Sequence, residues 1–214
     1  MRAELLPAVL TPMAPRDVLR AFRNAYQDTR RLTPSNAVLA LLVAQSALET
    51  GRWRSIYCHN FGNVKAGPDY EGYYCQFRCN EVIGGKLQWF DPPHPQTNFR
   101  AFLSADAGAA DHLQFLSGRK RYAESWRALL TGDPVAYVAE LRRAGYFTAD
   151  EAPYRRAVVS LFGEYMRALD GEPVPDDDAP DTEPSWEDLR ALVARQQFTT
   201  EELLHGADNP EGAA

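Results

Sequence analysis

The chain has 214 residues, of which 45% are hydrophobic, enough for one ordinary domain with a real core and a short appendage, and too many for wholesale disorder. Its formal net charge is −6, so no global basic field draws it to nucleic acid or an anionic membrane, and a polyanionic partner would need a local basic patch. The longest apolar run, Val38–Ala44, is far too short to span a bilayer, and Pro7, Pro12 and Pro15 interrupt the N-terminal stretch, so no secretory signal is expected there.

In chain order, the first helical pattern is Pro15–Arg31, where Val18, Leu19, Phe22, Ala25 and Tyr26 form an apolar stripe. Thr33-Pro34 restarts the chain, with proline suited to a first helical turn. Asn36–Thr50 follows, and Val38, Leu39, Leu41, Leu42, Val43, Ala44, Ala47 and Leu48 leave it almost no polar face. A helix apolar on all sides belongs in the middle of a domain. Gly51 supplies its stop, which leaves Glu49 at the C-terminal end of a buried helix.

From Trp53 to Phe102 the texture changes to short aromatic segments punctuated by glycine and by Asp91-Pro92-Pro93-His94-Pro95. Gly84-Gly85 between Glu81-Val82-Ile83 and Lys86-Leu87-Gln88-Trp89 predicts a hairpin turn. This is a small loop-and-strand lobe. Helical patterns resume at Ala105–Leu116, Arg121–Leu130, Pro134–Ala144 and Pro153–Leu169. The acidic, proline-rich residues 170–184 read as a solvated linker, and Ser185–Leu204 within residues 185–214 as one short helical tail.

Cys58, Cys75 and Cys79 allow at most one internal bridge. The spacing Cys75-x-x-x-Cys79 is not that of a zinc knuckle, and Cys58 with His59 would not complete a tetrahedral set. Free or buried thiols are expected, with no metal and no organic cofactor.

A carboxylate at the C-terminal end of a buried helix is disfavoured by the helix dipole and by its apolar surroundings, and both raise its pKa. A glycosidase needs that environment for a general acid that stays protonated near neutral pH. The plainer alternative makes Glu49 the first solvated residue of a helix end. The neighbouring residues bear on the choice. Ala44-Gln45-Ser46-Ala47-Leu48-Glu49-Thr50-Gly51, followed by His59-Asn60-Phe61-Gly62-Asn63-Val64-Lys65-Ala66, resembles the glucosaminidase family of cell-wall hydrolases, in which a helix reading A-x-x-x-x-E-[ST]-[GA] precedes an N-x-F-G-x-K-like loop. The likeness continues in order through Cys79-Asn80-Glu81-Val82-Ile83-Gly84-Gly85-Lys86, Phe99-Arg100-Ala101-Phe102, Arg121-Tyr122-Ala123 and Gly145-Tyr146-Phe147-Thr148-Ala149-Asp150, ending at Tyr154.

The resemblance implies a mainly α (α+β), lysozyme-like domain within residues 1–169, with a helical lobe, a small β-hairpin lobe and a cleft between them. It implies an enzyme that hydrolyses β-1,4 glycosidic bonds of peptidoglycan as an endo-β-N-acetylglucosaminidase. A muramidase or lytic transglycosylase on the same fold, and a non-catalytic glycan-binding module, are the alternatives. Glu49 would protonate the leaving oxygen, and Glu81 would act as base toward water or stabilise an oxocarbenium-like state. Asp91 and Glu71 stand behind Glu81, which could also be a plain exposed charge beside a turn. Tyr146 would orient the N-acetyl group or the acid, or else be a core aromatic. Asn60, Phe61 and Lys65 would shape the sugar site, Phe61 by stacking on a pyranose, and Trp89 would add another aromatic face. Half of the lobe's aromatics, Trp53, Tyr70, Tyr73, Tyr74, Trp89 and Phe90, are expected to be structural, and His94 is expected to be a rigid loop residue. The expected partner is the glycan strand, beside an immunity or delivery protein, for a monomer. Made without a signal peptide, it would act in the periplasm or on the wall after delivery as an endolysin or a secreted effector.

Overall fold

The computed structural model describes residues 3–83, 86–147 and 150–171; the predicted linker beyond Gly171 and the tail helix Ser185–Leu204 lie outside them. Helix α1 (Pro15–Arg30) starts on a proline whose missing N–H has no helical partner to lose, and it ends where Arg31 turns left-handed at φ 56°. Its buried side is Val18, Leu19, Ala21, Phe22, Ala25 and Tyr26. Helix α2 (Asn36–Thr50) is capped by Ser35, whose side chain accepts from the Val38 N–H, so Pro34 lies just before the helix rather than in its first turn. Every residue from Val38 to Thr50 is buried, and Gly51, at φ 57°, closes the helix by donating its N–H to Ala47.

A helix with no polar side must be wrapped on all sides. Helix α6 (Glu151–Leu169) makes the most extensive packing on α2, with α1 and α4 (Ala123–Thr131) on other faces. Helix α3 (Ala105–Ser117) lies on α1, and α5 (Pro134–Arg143) joins α4 to α6. Two helices start elsewhere than predicted. The segment predicted from Arg121 opens with a tighter helical turn over Lys120–Tyr122 before α4 begins. Helix α6 starts ahead of Pro153, because Asp150 caps it by accepting from the Ala152 N–H and a first-turn proline gives up no helical hydrogen bond.

The small lobe holds a three-stranded sheet in the order β1 (Glu4–Leu5), β2 (Tyr73–Gln76), β5 (Asn98–Arg100). Strand β1 runs parallel to β2, with Glu4 opposite Tyr73, and β5 runs antiparallel, with Cys75 opposite Phe99. Beside it β3 (Cys79–Ile83) and β4 (Lys86–Phe90) pair antiparallel, with Ile83 opposite Lys86, the register of the predicted hairpin; Gly84 and Gly85 lie outside the described residues. A separate core of Cys58, Cys75, Phe99 and Ala101 holds the lobe together. The Phe77 ring stacks on Phe99 at 4.1 Å and on Tyr57 at 4.8 Å. Burial and the adjoining Cys58 thiol push Cys75 up to about 12, so it stays a thiol. No helix of the described residues is long and apolar enough to cross a membrane.

Candidate active site

The C-terminal end of α2 is pinned by the few polar residues in its sequence. Gly51, Arg52 and Trp53 are all left-handed, at φ 57°, 51° and 61°, and turn the chain sharply out of the helix. Such a conformation costs a non-glycine residue about 1–3 kcal/mol, so surrounding contacts must impose it. Trp53 is fully buried, and its indole N–H donates to Ser46 Oγ at 3.0 Å. Ser46 Oγ in turn donates to the Phe61 carbonyl at 3.0 Å, and Thr50 Oγ1 accepts from the Trp53 N–H at 3.2 Å. Arg52 forms a two-pronged ion pair with Glu164 of α6, and the Asn63 amide donates to the Glu49 carbonyl. The helix end is therefore unable to fray, and Glu49 is held in place.

Only 5% of Glu49 is exposed, which excludes the solvated helix-end alternative. Its carboxyl is faced by phenols. The Tyr154 hydroxyl donates to Glu49 Oε1 at 3.1 Å, and the Glu49 charge also reaches Tyr137 and Tyr146. Tyr137 donates to Gln45 Oε1, and Gln45 lies one turn before Glu49 on the same face of α2. Burial raises the Glu49 pKa from 4.5 to about 8, opposed by the Tyr154 hydrogen bond. Burial first, then the nearby Glu49 charge, pushes Tyr137, Tyr146 and Tyr154 well above the usual phenol value. The site thus presents a neutral carboxylic acid at neutral pH, surrounded by groups that do not ionise before it.

The other predicted site residues divide. Tyr146 is brought to the Glu49 site, and its ring meets Tyr122 edge-on at 5.8 Å. Glu81 stands opposite Gln88 in the hairpin ladder, but its side chain lies outside what is described. Trp89, across from Asn80, is 50% exposed, and the Arg78 guanidinium lies 4.5 Å from its ring centre. Phe61 does not form a sugar platform: it is 1% exposed and packs against Phe22 at 5.1 Å, inside the helical core. Asn60 is a loop brace, donating to the Val64 and Arg100 carbonyls and accepting from the Val64 N–H. Lys65 is buried, with its Nζ donating to Gln96 Oε1 at 3.1 Å and lying 5.3 Å from the Phe99 ring. Asp91 is exposed and paired with Arg78, Glu71 is exposed, and His94 caps a short turn by accepting from the Gln96 N–H.

Asn60→Ala tests the corrected role. It strips partners from buried backbone groups, so stability in urea should fall by about 1–3 kcal/mol while KM stays near wild type. A raised KM at unchanged stability would return Asn60 to the sugar.

Sequence reasoning missed Gln45 and Tyr137 as members of the Glu49 site. The signal was present for Gln45, since a buried polar residue four places before Glu49 in an otherwise apolar helix needs a partner. Nothing local marks Tyr137.

A family model described as mannosyl-glycoprotein endo-beta-N-acetylglucosaminidase matches residues 23–188. Direct comparison with curated protein sequences finds no match. Among solved structures, the chain is similar to a mutant peptidoglycan hydrolase from Sphingomonas sp. A1, with a TM-score of 0.54 and 24% identity over 72% of this chain and 97% of that one. A second structure of peptidoglycan hydrolase from the same source gives 0.52 and 23%, over 79% of this chain and 100% of that one. A truncated glycoside hydrolase domain from Salmonella typhimurium FlgJ gives 0.46 and 21%, over 75% and 100%. The Sphingomonas likenesses agree with the expected fold, a lysozyme-like helical body with a small β lobe. With the family model matched across most of its length, the chain belongs to the glucosaminidase family of glycoside hydrolases.

Proposed function

We propose that the protein hydrolyses the β-1,4 bond following N-acetylglucosamine in the glycan strands of peptidoglycan, with Glu49 as general acid. The observation that carries this reading is the Glu49 carboxyl, 5% exposed and raised to about 8, so that it holds a proton at neutral pH and can give it to a leaving glycosidic oxygen. The family description supports the glucosaminidase bond choice, and the likeness to structures described as peptidoglycan hydrolases supports peptidoglycan as the polymer. Glu81 on the hairpin is the second carboxylate, acting on water or on the oxocarbenium-like state. Tyr146 lines the site beside Glu49 and orients the acid or the N-acetyl group. Trp89 offers a half-exposed aromatic face to a sugar further along the strand.

The test is mass spectrometry of purified peptidoglycan digested to completion. Fragments ending in reducing N-acetylglucosamine are expected. Reducing N-acetylmuramic acid would move the protein to the muramidases, and anhydro ends to the lytic transglycosylases. Intact strands that stay bound to the protein would leave it a glycan-binding module.

A further inference from the structure

Tyr154 belongs to the first turn of α6, yet it is fully buried and reaches across to α2. Its hydroxyl donates to Glu49 Oε1 at 3.1 Å, a contact between residues 105 apart in the chain. The phenol cannot swing freely, because its ring stacks on Phe147 at 4.1 Å and 18°. Phe147 is anchored in turn, its carbonyl accepting from Arg142 of α5 at 3.2 Å. The hydrogen bond engages one oxygen of the Glu49 carboxyl, Oε1.

We propose that Tyr154 is the positioning residue of the acid: by holding Oε1 it reserves Oε2 for the proton that goes to the glycosidic oxygen. This rests on Glu49 being the acid. A neutral carboxyl carries its proton on one oxygen and keeps only lone pairs on the other. With the Tyr154 O–H directed at Oε1, a proton on that oxygen would collide with it, so the acid proton is left to Oε2. The same bond fixes the rotation of the carboxyl, which matters because a donor misplaced by about 1 Å can lose on the order of 100-fold in rate. The donor also favours the ionised form, which distinguishes it from a packing contact. The groups facing Glu49 are Tyr137 from α5, Tyr146 from the loop after it and Tyr154 from α6. Among the described residues no charged side chain acts on Glu49. Those phenols ionise above their usual value, so a limb near pH 8 belongs to Glu49.

Tyr154→Phe keeps the stacked ring and removes only the hydroxyl. In the full chain acting on peptidoglycan, kcat should fall by about 10- to 100-fold with KM little changed. The alkaline limb of kcat/KM should move to higher pH, because the ionised carboxyl has lost its donor. Infrared difference spectra supply a readout independent of turnover. The carboxylic C=O band that disappears in Glu49→Gln should shift to higher wavenumber in Tyr154→Phe, as a carbonyl released from a donor does. An unmoved limb and band, or a limb moving to lower pH, would overturn the proposal; the latter would mean that Tyr154 accepts the acid's proton. Full activity of Glu49→Gln would instead overturn the underlying reading, whatever Tyr154→Phe does.

Discussion

Glu49→Gln is expected to fold normally and to lose on the order of 10²–10⁴-fold in turnover on peptidoglycan, the usual worth of a positioned general acid. The substitution is close to isosteric, and the amide oxygen can still accept from Tyr154, so the packing of α2 against α6 is preserved. What disappears is the proton. Because the acid works only when protonated, the wild-type rate should fall as pH rises through about 8, the value to which burial raises this group. The residual rate of the variant should lack that limb. Reducing ends released from purified walls across pH 6–9 provide the measurement, and near wild-type turnover by Glu49→Gln would remove Glu49 from the mechanism.

The same substitution should make the protein more stable at alkaline pH. A carboxyl whose folded pKa lies above its unfolded value binds more protons in the folded state between the two, so stability is lost as pH rises. For Glu49 that window runs from 4.5 to about 8. Below it the carboxyl is neutral folded and unfolded, and wild type and variant should be alike. Above it the folded protein carries an ionised group with little access to water, and the deficit levels off at an upper bound on the order of 5 kcal/mol. Glutamine has no charge to bury. Urea unfolding at pH 4, below the window, and at pH 9, above it, separates the two cases, since every other titrating group is common to both proteins and cancels in the comparison. A difference that does not grow with pH would show that the Glu49 carboxyl is hydrated in solution. The predicted pairing of lost activity with gained stability is the expected signature of a site held in an unfavourable environment for its chemistry.

Glu49 was legible in the sequence because each step to it is local. Its helix is apolar on every side, Gly51 follows it, and together these place a carboxyl at a buried helix end. Phe61 and Asn60 misled for the converse reason. An aromatic and an amide in a glycine-bearing loop suit a sugar as well as they suit packing, and only the partners decide. Phe61 found Phe22 on α1, and Asn60 found the Val64 and Arg100 carbonyls.

By itself, the sequence determined the helices with strong local signals: α1 from Pro15, α2 with its stop at Gly51, and the hairpin register around Gly84-Gly85. Capping, proline placement and hydrophobic period act within a turn or two, so they can be read without knowing the neighbours. Tertiary structure alone decided that Glu4–Leu5 would add a parallel strand to β2, a pairing too short to carry any alternation. It alone brought Tyr137 to Gln45 and Tyr154 to Glu49, across 92 and 105 residues. A buried hydroxyl takes its partner from whatever the packed helices set beside it, and no period in the chain records that choice.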